Sequence, residues 1–518
     1  MEVAKILVSY YRSDEVSVND TLCFFDSFFK ELSDCGNDIL AINNAYYGIF
    51  NPNRTNNIAV KNYLLDEAIK FQPDLIITFN HRILQDILDK FEDIPVVIYD
   101  GDELRFFSDL DLIKKNIGRY KVFSIVDSWQ KDYLEFGFRK EQVFYLPPGT
   151  SIKKDDDMFQ TMNISFLGQR RFFLNTKLKE YIQEGKDLDK FYQIYLDFLK
   201  THEYSYEKLY QRNMAYSSDI QMSDVDLWPL FDQGYLIFAN LLDLGLHLGG
   251  HESGWRDIVD FIPQLALAHS KTKIFSLKEN QDFYNASILS LCPMHPQAQG
   301  KGYSWRCYDI MASNACLVSS YSSELKAKTK GIVNLPMFHT PIEAREICKD
   351  LLENTEKRRE LVLASQDFIE KNGRWIEQIK KMEQILEMKL VYSDRKGTIK
   401  KLTLRPIEKN ESLVQRAAIV ESKVLFNKED ILWWGDKIQS FTVNPKLLLA
   451  LLITVILNVT LLVCIQMGFF NTLLSEAILE IAVFLMGIST LVSALLLEGC
   501  ILYKFIYKVF RKIILLRQ

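Results

Sequence analysis

The chain has 518 residues, and no two of its eight cysteines (Cys23, Cys35, Cys292, Cys307, Cys316, Cys348, Cys464 and Cys500) stand in a C-x-x-C pair. That scatter argues against a zinc site and a secreted disulfide framework, and it fits a reducing compartment. A basic excess is also lacking. Sixty-two Lys and Arg against 67 Asp and Glu leave a net charge of −5, so the chain does not read as a general nucleic-acid binder. Met1 to Val8 has neither the basic nor the long apolar stretch of a signal peptide, and the bulk of the chain is expected to stay in the cytosol. No internal repeat and no low-complexity tract is visible. What remains is an ordinary folded composition, 48% hydrophobic, 25% charged and 13% aromatic. Its length calls for more than one domain, since single cores rarely pass roughly 250–300 residues.

Short apolar runs recur at Ile6–Ser9, Asp38–Ile42, Pro73–Thr78, Ile94–Tyr99, Val122–Val126 and Val143–Leu146, with helical spacing between them, as over Thr21–Leu32 and Tyr63–Phe71. Strands alternating with helices predict βαβ units and a doubly wound parallel sheet, which binds ligands at the carboxyl ends of its strands. His81 and the Asp100-Gly101-Asp102 run fall at those ends. Pro147-Pro148-Gly149 and the charged Ser151–Asp157 close this first domain. A second start follows in Asn163–Leu167, running into Gly168-Gln169-Arg170-Arg171. Residues 177 to 243, rich in Tyr, Phe and Leu at helical spacing, read as a helical insertion. Leu246–Leu248 then leads into a loop carrying His251 and Trp255. The expected boundaries are 1–155, 156–390, a linker over 391–445, and a tail over 446–518.

The most informative stretch is His295-Pro-Gln297-Ala-Gln-Gly300-Lys-Gly302-Tyr-Ser304-Trp-Arg306-Cys-Tyr-Asp309-Ile-Met-Ala-Ser-Asn314. It reads as a loop, a short helix and, from Leu317, a buried strand. Gly300 and Gly302 permit close approach of the backbone to a ligand. Ser304 is placed to cap the helix, whose opening favours anions, and Arg306 adds a fork for phosphate oxygens. Asp309 lies three residues on, along the same face, where a carboxylate suits a diol such as a ribose. An ordinary Arg306–Asp309 surface pair is the competing reading.

That segment resembles the C-terminal half of GT-B glycosyltransferases, in particular the spore-maturation-protein-like family, in which an R-x-x-E/D helix precedes a strand in the donor site. Here Asp309 stands at the acidic position, and Asn314 where a glycine is common. The resemblance covers about residues 1 to 390 and implies two Rossmann-like domains, an acceptor-side one followed by a donor domain. It implies a nucleotide-sugar donor held by Gly168, Arg170, Arg171, His251, His295, Gln297, Gly302, Ser304, Arg306 and Asp309, with no metal or cofactor required. A general base is expected from the first domain, with Asp100, Asp102 and His81 as candidates. Two alternatives stand. Asp100-Gly-Asp102 also matches the D-x-D of metal-dependent GT-A enzymes, which hold Mg²⁺ or Mn²⁺. A non-catalytic sugar-binding or scaffold protein on a membrane is the other.

The tail carries its own signal. Leu447–Phe470 has no charged residue and is long enough to cross about 30 Å of hydrocarbon. A second span is read over about Ala477–Tyr503. Lys446 precedes the pair and Lys504, Lys508, Arg511, Lys512 and Arg517 follow it, whereas the Asn471–Glu476 connection has no Lys or Arg. The positive-inside rule then places both ends in the cytosol, in a two-helix membrane hairpin. A lipid-linked or membrane-proximal glycan acceptor follows from that location, as in bacterial surface polysaccharide synthesis.

Overall fold

The computed structural model describes residues 3–402 apart from 13–14, 16–20, 48–57, 108, 169–233, 251–254, 256–263, 271–273, 296–297 and 299–300. The hairpin expected over 447–503, and most of the helical insertion expected over 177–243, lie outside the described residues. Among the described residues no helix is long and apolar enough to cross a membrane.

Two parallel sheets organise this part of the chain. The first holds β1 (Lys5–Tyr10), β2 (Asp38–Asn43), β3 (Leu75–Phe79), β4 (Val96–Tyr99), β5 (Tyr120–Ser124) and β6 (Val143–Tyr145). The second holds β7 (Met162–Leu167), β8 (Leu246–Gly249), β9 (Ser287–Cys292), β10 (Cys316–Ser320) and β11 (Met337–Phe338). A late strand, β12 (Ile399–Lys401), joins the first sheet, whose order is β12-β2-β1-β3-β4-β5-β6; the second runs β11-β10-β9-β7-β8.

Why these runs form central strands is plain from their burial. Successive side chains leave a strand on opposite faces, so a strand covered on both sides must be apolar throughout. Leu7 enters a core with Leu40, Ile76 and Val122, while its neighbours Ile6 and Val8 enter a second core with Phe28, Phe29 and Ile77. In the second sheet the buried hydroxyls of Ser165 and Ser290 lie 3.0 Å apart and satisfy one another.

The last long helices return the chain to the first domain. The helix Trp375–Leu386 places Trp375, Ile379 and Met382 in the same core as Phe28 and Phe29. Trp375 meets the ring of Phe28 at 4.9 Å and that of Phe24 at 5.5 Å. The linker expected to start at residue 391 needs correcting here. Lys400 and Lys401 pair in register with Leu40 and Ala41, and Leu402 is buried. The cations of this stretch are tied down as well. Arg395 meets Asp38 at 2.8 Å, Lys396 meets Asp34 at 2.8 Å and Lys400 meets Glu67 at 2.6 Å. Polar residues can form an edge strand because only one neighbour has to be matched.

Candidate active site at the carboxyl ends of the strands

The candidate site on the second sheet begins where β7 and β8 end. Gly168 donates its N–H to the carbonyl of Gly249 at 3.2 Å, and Gly250 follows with φ +118°. A Cβ on Gly250 would stand 2.1 Å from the Gly168 carbonyl oxygen, so only glycine lets these two backbones touch. His269 supports the turn, its Nε2 lying 3.0 Å from the Gly250 carbonyl.

Against this glycine pair lies Arg306. A Cβ on Gly168 would fall 2.8 Å from the Arg306 Nη2, so the missing side chain makes room for the guanidinium. The guanidinium carbon sits 5.3 Å from the ring centre of Phe166 and 5.9 Å from that of Trp305, both within range of a cation–π contact. Ser304 caps the helix Trp305–Met311, its hydroxyl accepting from the Arg306 N–H at 3.3 Å. Among the described residues no carboxylate forms an ion pair with Arg306. The competing reading of an Arg306–Asp309 surface pair is therefore set aside.

Asp309, expected to hold a ribose, is engaged with the interdomain crossing. It is 3% exposed, and its Oδ1 accepts a hydrogen bond from the Thr150 hydroxyl at 2.5 Å. Burial raises its carboxyl to about 7, with the Thr150 bond and Arg306 pulling the other way. Gly302 also departs from expectation. A Cβ there would meet Val126 Cγ2 at 2.7 Å, so this glycine admits a side chain of the first domain instead of lying open to a phosphate. Nearby the hydroxyls of Tyr145 and Tyr303 approach to 3.4 Å, and Glu324 accepts from the Ser128 N–H at 3.3 Å. On another side Trp305 meets Phe24 at 5.3 Å. The donor segment is thus built against the first domain. His295 is exposed, whereas Arg170, Arg171, His251 and Gln297 lie outside the described residues.

On the first domain, Asn80 joins two loop ends. Its Oδ1 accepts from the Gly101 N–H at 2.6 Å, and its Nδ2 donates to Asp102 Oδ2 at 2.7 Å. Asn80 and His81 both have positive φ, 52° and 56°, which turns the chain back after β3. His81 is consequently carried away from the role of an open base. It is 1% exposed, its Nε2 lies 3.1 Å from the Tyr120 hydroxyl, and burial lowers its pKa to about 4. Asp100 is 1% exposed too, with Oδ1 accepting from the Ile125 N–H at 2.8 Å; burial raises it to about 7. A carboxylate shut from solvent and turned to that backbone is not presented to a nucleotide-bound cation, so the D-x-D reading loses one of its two ligands. Among the described residues no three His, Cys, Asp or Glu side chains gather into a metal-binding group. Asp102 alone of the three candidate bases is a half-buried residue. Burial pushes it up, and Arg82, Arg12 and the Asn80 amide pull it back.

Glu15 is a feature that composition did not reveal. It is 3% exposed and accepts from the Tyr10 hydroxyl at 2.8 Å, the Asn43 amide at 2.8 Å and the Leu22 N–H at 2.9 Å. It anchors the loop after β1. A lone acidic residue inside a polar loop gives no periodic signal of burial.

No family model matches the chain, and no curated protein does. Several solved structures align with it at low scores. Anabaena HepE in complex with UDP and glucose aligns at 11% identity and a TM-score of 0.46, over 74% of this chain and 99% of that one. Sucrose-phosphate synthase of Thermosynechococcus elongatus aligns at 10% identity and 0.44, over 74% and 98%. T4 phage BGT in complex with its UDP-glucose substrate aligns at 12% and 0.39, over 74% and 100%. At these scores the likenesses carry no functional inference.

Proposed function

We propose that this chain is a nucleotide-sugar-dependent glycosyltransferase of the GT-B type. The observation that supports it most is Arg306, a half-buried cation laid on a glycine pair at the carboxyl ends of β7 and β8, with no carboxylate ion pair among the described residues. A half-buried cation without an ion pair gains when an anion joins it. A diphosphate supplies that anion, and glycines let its oxygens approach the backbone. Arg306 would then offset the charge that grows on the leaving nucleotide, helped by Arg170 or Arg171. Asp102, held by Asn80, with Arg82 and Arg12 opposing the upward pull of burial on its carboxyl, is the best placed base for the acceptor hydroxyl. Stereochemistry does not follow from the fold.

The two apolar stretches of the tail support membrane attachment as a two-span hairpin, with the sheets and both termini on the cytosolic side. A glycan or lipid-linked acceptor at that surface is the corresponding substrate class. Titrating the full chain in detergent with UDP, GDP, CMP and dTDP tests the donor half by calorimetry. Binding of one of these nucleotides, lost in Arg306→Ala, is the expected result. Binding that persists unchanged in Arg306→Ala would refute the assignment. Binding lost in the variant but never accompanied by turnover would favour the non-catalytic sugar-binding reading. Equal transfer to soluble acceptors after removal of residues 446–518 would remove the membrane-proximal acceptor.

A further inference from the structure

The chain passes between the two sheet domains twice among the described residues, after β6 and before the helix Trp375–Leu386. These two passages are laced together. Thr150 donates its N–H to the Gly373 carbonyl at 2.9 Å and bridges Arg374 in parallel register. Arg374 Nη1 donates to the Ile152 carbonyl. Gly149 has no room for a side chain, since a Cβ would lie 2.6 Å from the Trp375 backbone. Into this seam reaches Asp309, from the helix that carries Arg306. Its Oδ1 accepts the Thr150 hydroxyl at 2.5 Å, and the same hydroxyl oxygen accepts the Ile152 N–H at 3.1 Å. Both residues are buried, at 3% and 1%.

We infer that Thr150 and Asp309 form a clasp by which the interdomain crossing positions the Arg306 helix, making Thr150 a positioning residue for the transfer. Three observations converge on it. Asp309 lies about one helical turn from Arg306, so a displacement of the Asp309 end is transmitted rigidly to the guanidinium. The hydroxyl is engaged as donor and as acceptor at once, which fixes its rotamer. Thr150 is also tied to the second passage by its N–H bond to the Gly373 carbonyl, so the clasp links the Arg306 helix to both passages. A buried hydrogen bond to a carboxylate inside the protein is among the stronger kind, and its loss leaves the carboxylate without a donor. Thr150 makes none of the contacts around Gly168 and Gly250, and its hydroxyl reaches the Arg306 helix through Asp309.

Hydrogen–deuterium exchange on the full chain, without ligand, tests the clasp directly. Thr150→Val keeps the shape and removes the hydroxyl; Thr150→Ser keeps the hydroxyl. Exchange in 371–376 and 305–311 is expected to rise at least tenfold in Thr150→Val, with β1 and β3 unchanged, and to return toward wild type in Thr150→Ser. Uniformly faster exchange in all segments, or none in 305–311, would overturn the clasp. The kinetic readout rests on the glycosyltransferase reading, and the exchange readout does not. In turnover, Thr150→Val should lower kcat about tenfold with donor KM changed less than twofold, and Thr150→Ser should recover kcat. A change confined to KM would overturn the positioning role. Altered exchange in a protein without transferase activity would retain the clasp and refute the enzyme.

Discussion

Replacing Gly250 by alanine should disable the donor site through backbone geometry alone. At φ +118° an L-residue carries strain of about 1–3 kcal/mol. The new Cβ would also stand 2.1 Å from the Gly168 carbonyl oxygen, a backbone atom that cannot rotate out of the way. Relief requires the 3.2 Å Gly168–Gly249 hydrogen bond to open, at a cost of about 1 kcal/mol. Together these give a loss of about 2–4 kcal/mol, and Gly168 shifts from beneath Arg306. Gly331→Ala is the matched control, because Gly331 has φ +79° and nothing within 4 Å of its Cβ position. It carries the strain without the clash, roughly 1–2 kcal/mol. Scanning calorimetry and nucleotide titration compare the two. With about 2–4 °C per kcal/mol for a domain of this class, Gly250→Ala should lower the transition further than Gly331→Ala. It should also weaken nucleotide binding at least tenfold, whereas the control leaves binding intact. Equal cost in the two variants, with full binding in both, would refute the contact on which the donor site is built.

Arg306→Lys keeps the charge but loses the planar fork and the stacking on Phe166, so donor turnover should fall at least tenfold; equal rates would show that only charge matters. Gly302→Ala forces Val126 away and should reduce turnover, while adding Val126→Ala should restore part of it; no recovery in the double variant would disprove that contact. Burial raises Glu15, Asp100 and Asp309 each to about 7. Groups raised in the folded state contribute stability below their unfolded values that is lost as pH rises through about 7, so the thermal midpoint should fall between about pH 5 and pH 8. Glu15→Gln should make that fall shallower, and an unchanged slope would count against a protonated Glu15.

Much of the architecture was legible because buried parallel strands cannot hide. Runs such as Ile6–Val8 and Leu75–Ile77 are apolar on both faces, which few other elements require. β12 escaped notice because Ile399-Lys-Lys is short and polar, and its partner β2 lies some 360 positions earlier, where no local pattern announces it. The capped helix that carries Arg306 was legible from residue type, since Ser304 is a good cap, whereas Gly302 makes room for Val126. Asp309 was not legible. Its i,i+3 spacing shows which face it shares with Arg306, but what opposes that face is Thr150, 159 residues away. His81 and Asp100 illustrate the same limit. Both stand after a strand, as the sequence indicates, yet the positive φ at Asn80 and His81 turns the imidazole onto Tyr120, and the Ile125 amide claims Asp100.

Sugar transfer from a nucleotide donor is the central claim, and turnover by the full chain in detergent tests it most directly. UDP-, GDP-, CMP- and dTDP-sugars would be presented with membrane lipid extract as acceptor, with and without EDTA, for the wild type and Arg306→Ala. Release of one nucleotide that persists in EDTA and falls by about a hundredfold in Arg306→Ala is the expected result. Release that persists unchanged in Arg306→Ala would contradict the donor site assigned here, and release abolished by EDTA would return the reaction to Asp100 and Asp102.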